Sequence, residues 1–259
     1  MKKAVAATLL FLLAARLPAQ ECAKFWSHDY AKSYIYSGLA VVKQPLEYNW
    51  KSWAAVGGAA AVATLSFVYD NEIHDYFSGH LSADQADKIH AVTDVFGEEY
   101  FQLPATAALY ALSAIGDDCR MRTASLSVLQ AFVYAEVVTA GIKVLSCRLR
   151  PETAESQWDW DGPFASFSSS SFVSGHAARS FAFAAAIDGA YRDCPWVGAA
   201  AYTLATASAL GRVICSEHWC SDVVVGAAIG YFIGRGVSRH WQKVEVASSA
   251  YGIRLSYKL

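Results

Sequence analysis

Apolar residues fall along this chain in six long blocks, at about 50–69, 100–116, 124–147, 175–191, 195–211 and 221–237. The blocks are rich in Ala, Leu, Phe and Tyr and longer than most strands, so the pattern predicts six helices. Pro195 and Gly211 stand where such helices should start or stop. Between the first two blocks, residues 70–99 are acidic and amphipathic and predict a further helix near 82–96. Residues 152–173 read as a polar loop studded with aromatics. At the C-terminus Tyr251, Ile253, Leu255, Tyr257 and Leu259 alternate with the period of a strand, and Lys243–Ala247 could pair with them in a small hairpin. The fold class expected is all-α, a bundle with a six-helix core and this small C-terminal β-hairpin.

Composition bears on whether the blocks cross a membrane. The chain has 259 residues and is 54% hydrophobic. Its mean hydropathy of +0.23 is high for a soluble protein and low for a dense membrane protein. Spanning needs about 20 apolar residues. Charge-free runs approach that only in 52–69, 100–116 and 194–210, whereas the third block holds Glu136 and the fourth Arg179 and Asp188. A bundle buried in its own core fits at least as well, with membrane association as the alternative. The net charge of -2 gives no basic signature, so a nucleic-acid partner is not expected.

The first residues resemble a secretory signal: Lys2 and Lys3, an apolar run from Ala4 to Ala15, then a small-residue cleavage region near Ala19. The expected organisation is a signal peptide over 1–19, an N-terminal extension over 20–49, the helical domain over 50–240 and a tail over 241–259. Secretion makes the six cysteines disulfide candidates.

Three polar groups carry candidate chemistry. Lys143 and Arg150 are seven apart, two helical turns, so both can lie on one face before Pro151 ends the segment. They can attract an anion or simply form a solvated basic end. Ser174 reads as a helix N-cap and Gly175 allows close backbone approach, so His176 opens a helix whose N-terminus can hold an anion. The bland reading is an ordinary cap with an exposed histidine. His218 and Asp222 are four apart, and a carboxylate there can accept the imidazole Nδ1–H and leave Nε2 free as nucleophile or base. Arg212 lies just outside the preceding helix. Cys215, His218 and Cys220 allow a zinc reading as well, but their spacing matches no common zinc pattern.

Together the groups resemble the type 2 phosphatidic acid phosphatase superfamily, which also includes class A acid phosphatases and vanadium haloperoxidases. Its pattern K-x6-RP, SGH, R-x5-H-x3-D is matched by Lys143…Arg150-Pro151, Ser174-Gly175-His176 and Arg212…His218…Asp222. Val173 and Gly211 depart from it, standing where Pro and Ser are usual. The resemblance implies a phosphatase that needs no metal or other cofactor, acting through a phosphohistidine. In it His218 is the nucleophile, Asp222 orients it, and His176 protonates the leaving oxygen. Lys143, Arg150, Ser174, Gly175 and Arg212 hold the phosphoryl oxygens, and the partner is a phosphorylated small molecule or lipid head group. Aromatic residues Trp158, Trp160, Phe164 and Phe167 could cover an apolar leaving group or merely pack.

A cleaved signal, six spans and an outward-facing site are mutually inconsistent, because the third block would then end inside. The expectation is therefore a phosphatase secreted to the periplasm. A membrane lipid phosphatase, a haloperoxidase and a non-catalytic envelope protein are the alternatives. In the helix order that the resemblance implies, Cys119 and Cys194 share the end away from the site and are expected to pair. One further disulfide is expected among Cys147, Cys215 and Cys220.

Overall fold

The structure, a computed structural model, describes residue 22, residues 24–165 and residues 170–251. The expected signal peptide, Phe167 and the tail beyond Tyr251 lie outside the described residues. The helices are α1 (His28–Lys43), α2 (Trp50–Val68), α3 (Asp70–His80), α4 (Ala83–Thr93), α5 (Glu99–Ile115), α6 (Cys119–Ser146), α7 (Gly175–Ala190), α8 (Pro195–Ile214) and α9 (Cys220–Tyr251), with 3₁₀ turns at Gln44–Glu47 and Val95–Gly97. All six apolar blocks are helical, as is the stretch near 82–96, and no strand occurs among the described residues. Local chemistry sets the starts: Ser27, Asn49, Asp118 and Ser174 each accept a backbone N–H in the first turn, and Ser82 with Gln85 forms a capping box.

Two helices go beyond the sequence expectation. α1 lies in the supposed extension and packs its polar face inward: Ser37 donates to Gln130 Oε1 at 3.1 Å, and Tyr30 to the Leu126 carbonyl at 3.1 Å. α3 begins directly after α2. The hairpin is not found in its first arm, because residues 243–251 continue α9.

The core centres on α7, which packs on α6, α8 and above all α9. Its Ala177, Ala178, Ala182, Ala184, Ala185 and Ala186 are fully buried. Opposite them α9 carries Gly226, Gly230 and Gly234 at four-residue spacing. A Cβ at any of these would collide with the carbonyl oxygen of Ser174, Ala178 or Ala182. Small residues on both faces thus bring two helix backbones together, the packing device of membrane helices. The consecutive helices α5 to α9 alternate in direction, so one end of the bundle collects the end of α6, the start of α7, the end of α8 and the start of α9.

α2, α6, α8 and the Cys220–Lys243 part of α9 are each long and apolar enough to cross a membrane. The charges that had argued against spanning are paired between helices: Arg179 donates to Glu136 at 2.8 Å, and Arg235 to Asp188 at 3.3 Å. Paired charges inside a bundle weigh far less against spanning than solitary ones.

The cysteines correct the expectation. Cys22 pairs with Cys119, whereas Cys147, Cys194, Cys215 and Cys220 are free thiols. The pairing is set by the N-terminal segment returning to the α5–α6 end of the bundle, where Phe25 N donates to the Tyr110 hydroxyl of α5 at 3.0 Å. Cys215 and Cys220 point apart, their thiols contacting Ala86 O at 3.4 Å and Ser66 Oγ at 3.8 Å.

Candidate active site

The three sequence groups meet at this one end of the bundle, but local geometry differs from the helical-face reasoning in three places. α6 ends at Ser146 because Cys147 takes a left-handed conformation, φ 45°. Arg150 therefore lies on the following loop, not on the helical face of Lys143. Arg212 belongs to the last turn of α8. His218 precedes α9 rather than riding on it, and Asp222 sits in that helix's first turn.

Asp222 is held from several sides. Its Oδ2 accepts from Trp219 N at 3.0 Å and from the Ser171 hydroxyl, and its Oδ1 accepts from Arg148 Nη1 at 2.7 Å. His218 Nδ1 lies 3.7 Å from Asp222 Oδ2, close enough for a charge to be felt but too long for a hydrogen bond, and it has no hydrogen-bond partner. Burial, with the charges of Lys143 and Arg212, pushes the imidazole down to about 4, against the pull of Asp222. His218 is thus neutral near pH 7, the form a nucleophile needs.

Two of the three candidate phosphate-binding cations, Arg150 and Arg212, are already partnered by carboxylates. Glu217 Oε2 accepts from Arg150 Nη1 and lies 3.2 Å from Arg212 Nη2, so one side chain bridges two guanidinium groups. Arg212 Nη1 also reaches Asp94. Lys143 Nζ donates to Ser170 O at 2.7 Å. Ser174 caps α7, its hydroxyl accepting from Ala177 N at 3.4 Å, and its own N–H donates to Asp222 O at 3.1 Å. Gly175 is the first residue of α7.

His176 is engaged on both nitrogens. Arg179 Nη2 approaches Nδ1 at 3.3 Å, which leaves Nε2 to carry the proton of the neutral ring. Nε2 lies 2.8 Å from Glu98 Oε1 and 3.0 Å from Asp94 Oδ1. Burial, then the charges of Arg212 and Arg179, hold His176 down to about 2, while burial and the nearby Asp94 charge raise Glu98. The backbone of Val95–Gly97 can approach this closely because Gly97 lacks a Cβ, which would strike His176 and Ser208. Asp94, Glu98 and His176 also form a three-ligand cluster able to hold a metal ion, with atoms within 4.8 Å of one another. Arg212 already occupies part of that space.

Sequence reasoning missed Asp70, Asp94, Glu98, Arg148, Ser171, Arg179 and Glu217. Arg148 had a signal, a third cation inside the Lys143–Arg150 stretch. The carboxylates contributed by α3 and by the α4–α5 connection had none, because their partners lie 78 or more residues away. Gly211, which departs from the family pattern, has a local cause: a Cβ there would run into Thr93 at the end of α4. Of the loop aromatics, Trp158 and Trp160 both stack on Phe67 and Trp160 also covers the Arg148 guanidinium, while all three of Trp158, Trp160 and Phe164 keep an exposed face.

Residues 124–245 match the model of the PAP2 superfamily. A 65-residue stretch is 40% identical to a lipid A 1-phosphatase of Porphyromonas gingivalis, spanning 25% of this chain and 15% of that relative's length. Among solved structures, the transmembrane PAP2-type phosphatidylglycerolphosphate phosphatase of Bacillus subtilis shares the fold with a TM-score of 0.50 and 15% identity, over 84% of this chain and 98% of that one.

Proposed function

We propose that the chain is a member of the PAP2 superfamily, whose model its residues 124–245 match, and that it is a membrane-embedded lipid phosphatase working without a metal. The observation that carries this is the convergence of neutral His218, backed by Asp222, with Lys143, Arg150 and Arg212 at the mouth of a bundle whose outer helices are apolar. In this reading a phosphoryl group replaces Glu217 between Arg150 and Arg212, with Lys143 and the first N–H groups of α7 on its remaining oxygens. His218 Nε2 attacks phosphorus, the bond to the leaving oxygen breaks, and a phosphohistidine forms. Asp222 stabilises the cationic ring. The entering dianion offsets the charges of Arg212 and Arg179, so His176 gains basicity and can bear the proton that it delivers to the leaving oxygen. His176 then takes a proton from the water that cleaves the phosphohistidine.

The lipid assignment rests on α2. Its apolar stretch is only 6% buried, against 50% for the corresponding stretch of α9. Exposed Trp50, Trp53 and Tyr69 mark its two ends, as aromatic residues do at membrane interfaces. The Cys22–Cys119 disulfide favours an oxidising compartment for its own end of the bundle and keeps the secreted reading as a second one.

The test uses full-length protein in detergent, assayed with chelator on phosphatidic acid, phosphatidylglycerol phosphate, a prenyl pyrophosphate and a soluble aryl phosphate. Lipid hydrolysis that survives the chelator and is lost in His218→Ala is the expected result. Turnover of the aryl phosphate alone, by protein released from membranes with alkaline carbonate, would favour the secreted phosphatase.

A further inference from the structure

We propose that Asp70 and Arg148 are positioning residues for the phosphoryl-transfer step: together they fix the Asp222 carboxylate and set how much of its charge reaches the His218 imidazole. The proposal rests on the reading of His218 as nucleophile. Neither residue touches the space where a phosphoryl group would lie, so their action passes through Asp222.

The geometry is unusually complete. Arg148 is fully buried, and its five N–H donors meet five acceptor contacts. Nε and Nη2 donate to the Gln157 carbonyl at 3.0 and 2.8 Å, and Nη2 donates to Asp70 Oδ2 at 2.9 Å. Nη1 donates to Ser221 Oγ at 2.8 Å and to Asp222 Oδ1 at 2.7 Å. Phe67, Trp160 and Trp219 surround the guanidinium with ring centroids 4.8, 5.3 and 5.2 Å away, which keeps water out. Asp70 is 1% exposed and also accepts from Ser221 N at 2.9 Å and from the Ser221 hydroxyl. One cation is therefore shared between two carboxylates in a water-free space, where charges act strongly on each other.

This sharing has a direction. Asp70 draws part of the Arg148 charge away from Asp222, leaving Asp222 more negative toward His218. Neutralising Asp70 puts the whole guanidinium charge on Asp222 and makes His218 harder to protonate. Neutralising Arg148 frees the Asp222 charge and makes His218 easier to protonate. The other groups facing His218 are Lys143 of α6, His176 of α7, Arg212 of α8 and its neighbour Glu217, and neither variant changes them. A purely structural pair would damage the enzyme without opposite effects on one titration.

The experiment measures kcat/KM against pH for the detergent-solubilised full chain, its Asp70→Asn variant and its Arg148→Met variant. The acid limb, which reports protonation of His218, is expected to move down by about half a pH unit in Asp70→Asn and up by a similar amount in Arg148→Met. In both, kcat is expected to fall about tenfold with KM changed less than about twofold. Histidine-labelled protein followed by NMR reads the same two shifts without turnover, with the His218 signal assigned by its loss in His218→Asn. Acid limbs and NMR titrations that stay at the wild-type pH, or move the same way in both variants, overturn the proposal. If the wild type turns over no phosphate ester, the phosphatase reading fails and the NMR shifts still decide the electrostatic part. If Arg148→Met does not fold, the Asp70→Asn shift decides alone.

Discussion

Residues 22–115 and residues 119–243 meet at the site with opposite contributions. The second region brings both histidines, Asp222 and the cations Lys143, Arg148, Arg150, Arg179 and Arg212. The first brings Asp70, Asp94, Glu98 and Glu99, all as partners of those groups. Packing differs in the same way. The second region presses helix backbones together through alanine and glycine, while α2 and α5 in the first leave most of their apolar surface exposed. On the proposed reading one region carries the reacting groups with some of their partners, Arg148, Glu136 and Glu217; the other adds carboxylates that tune their charge and meets the surroundings.

The comparison breaks if the reacting groups are dispensable. His218→Ala is expected to lower kcat by about a thousandfold or more, measured as initial rates on the best substrate of the lipid panel. An effect of that size from Glu98→Gln would erase the distinction between reacting and tuning residues.

Packing provides the next largest contrast. Gly230→Leu forces a side chain into α7 and is expected to yield no folded protein, or a melting point in detergent lower by about 10 °C or more. Gly58→Leu on α2, where an added Cβ meets nothing within 4 Å, should leave melting nearly unchanged.

Glu98→Gln sharpens the tuning role. Removing a carboxylate beside Nε2 makes His176 harder to protonate, so the basic limb of the kcat profile should move to lower pH and kcat should fall about tenfold. The wild-type fold should also weaken in acid. Both histidines are held below the ordinary histidine value, so the unfolded chain binds protons that the folded one rejects. Stability is then full above about pH 6.5 and declines as pH falls toward 4, which melting curves at several pH values would trace. The smallest effect is expected for Glu217→Gln: with no carboxylate between Arg150 and Arg212, KM should fall about threefold at nearly constant kcat.

The same division governs what the sequence discloses. The second region was legible because its reacting groups sit in short motifs and its helices have long apolar blocks. Even there, helical spacing misplaced Arg150 and His218, since Cys147 turns left-handed and α9 starts only at Cys220. The first region was nearly silent. α1 buries serine and tyrosine rather than an apolar stripe, so its pattern reads as an extension. Asp70 and Glu98 look like two acids among many until folding sets them beside Arg148 and His176. The Cys22–Cys119 pairing likewise depended on where the N-terminal segment docks, which no spacing states. Counting charges weighs Glu136 and Arg179 separately against spanning, whereas the fold makes them one pair.

The glycine stripe of α9 acts as a ruler. His176 stands at the head of α7 and Asp222 in the first turn of α9, with His218 just ahead of it. A slip of one residue between these helices would shift one histidine along the bundle axis by about 1.5 Å, enough to take a reacting group out of line. Gly226, Gly230 and Gly234 each lock against a particular α7 carbonyl and so admit one register. The distance between the proposed reacting histidines is therefore graduated by hydrogen atoms where other residues would carry side chains.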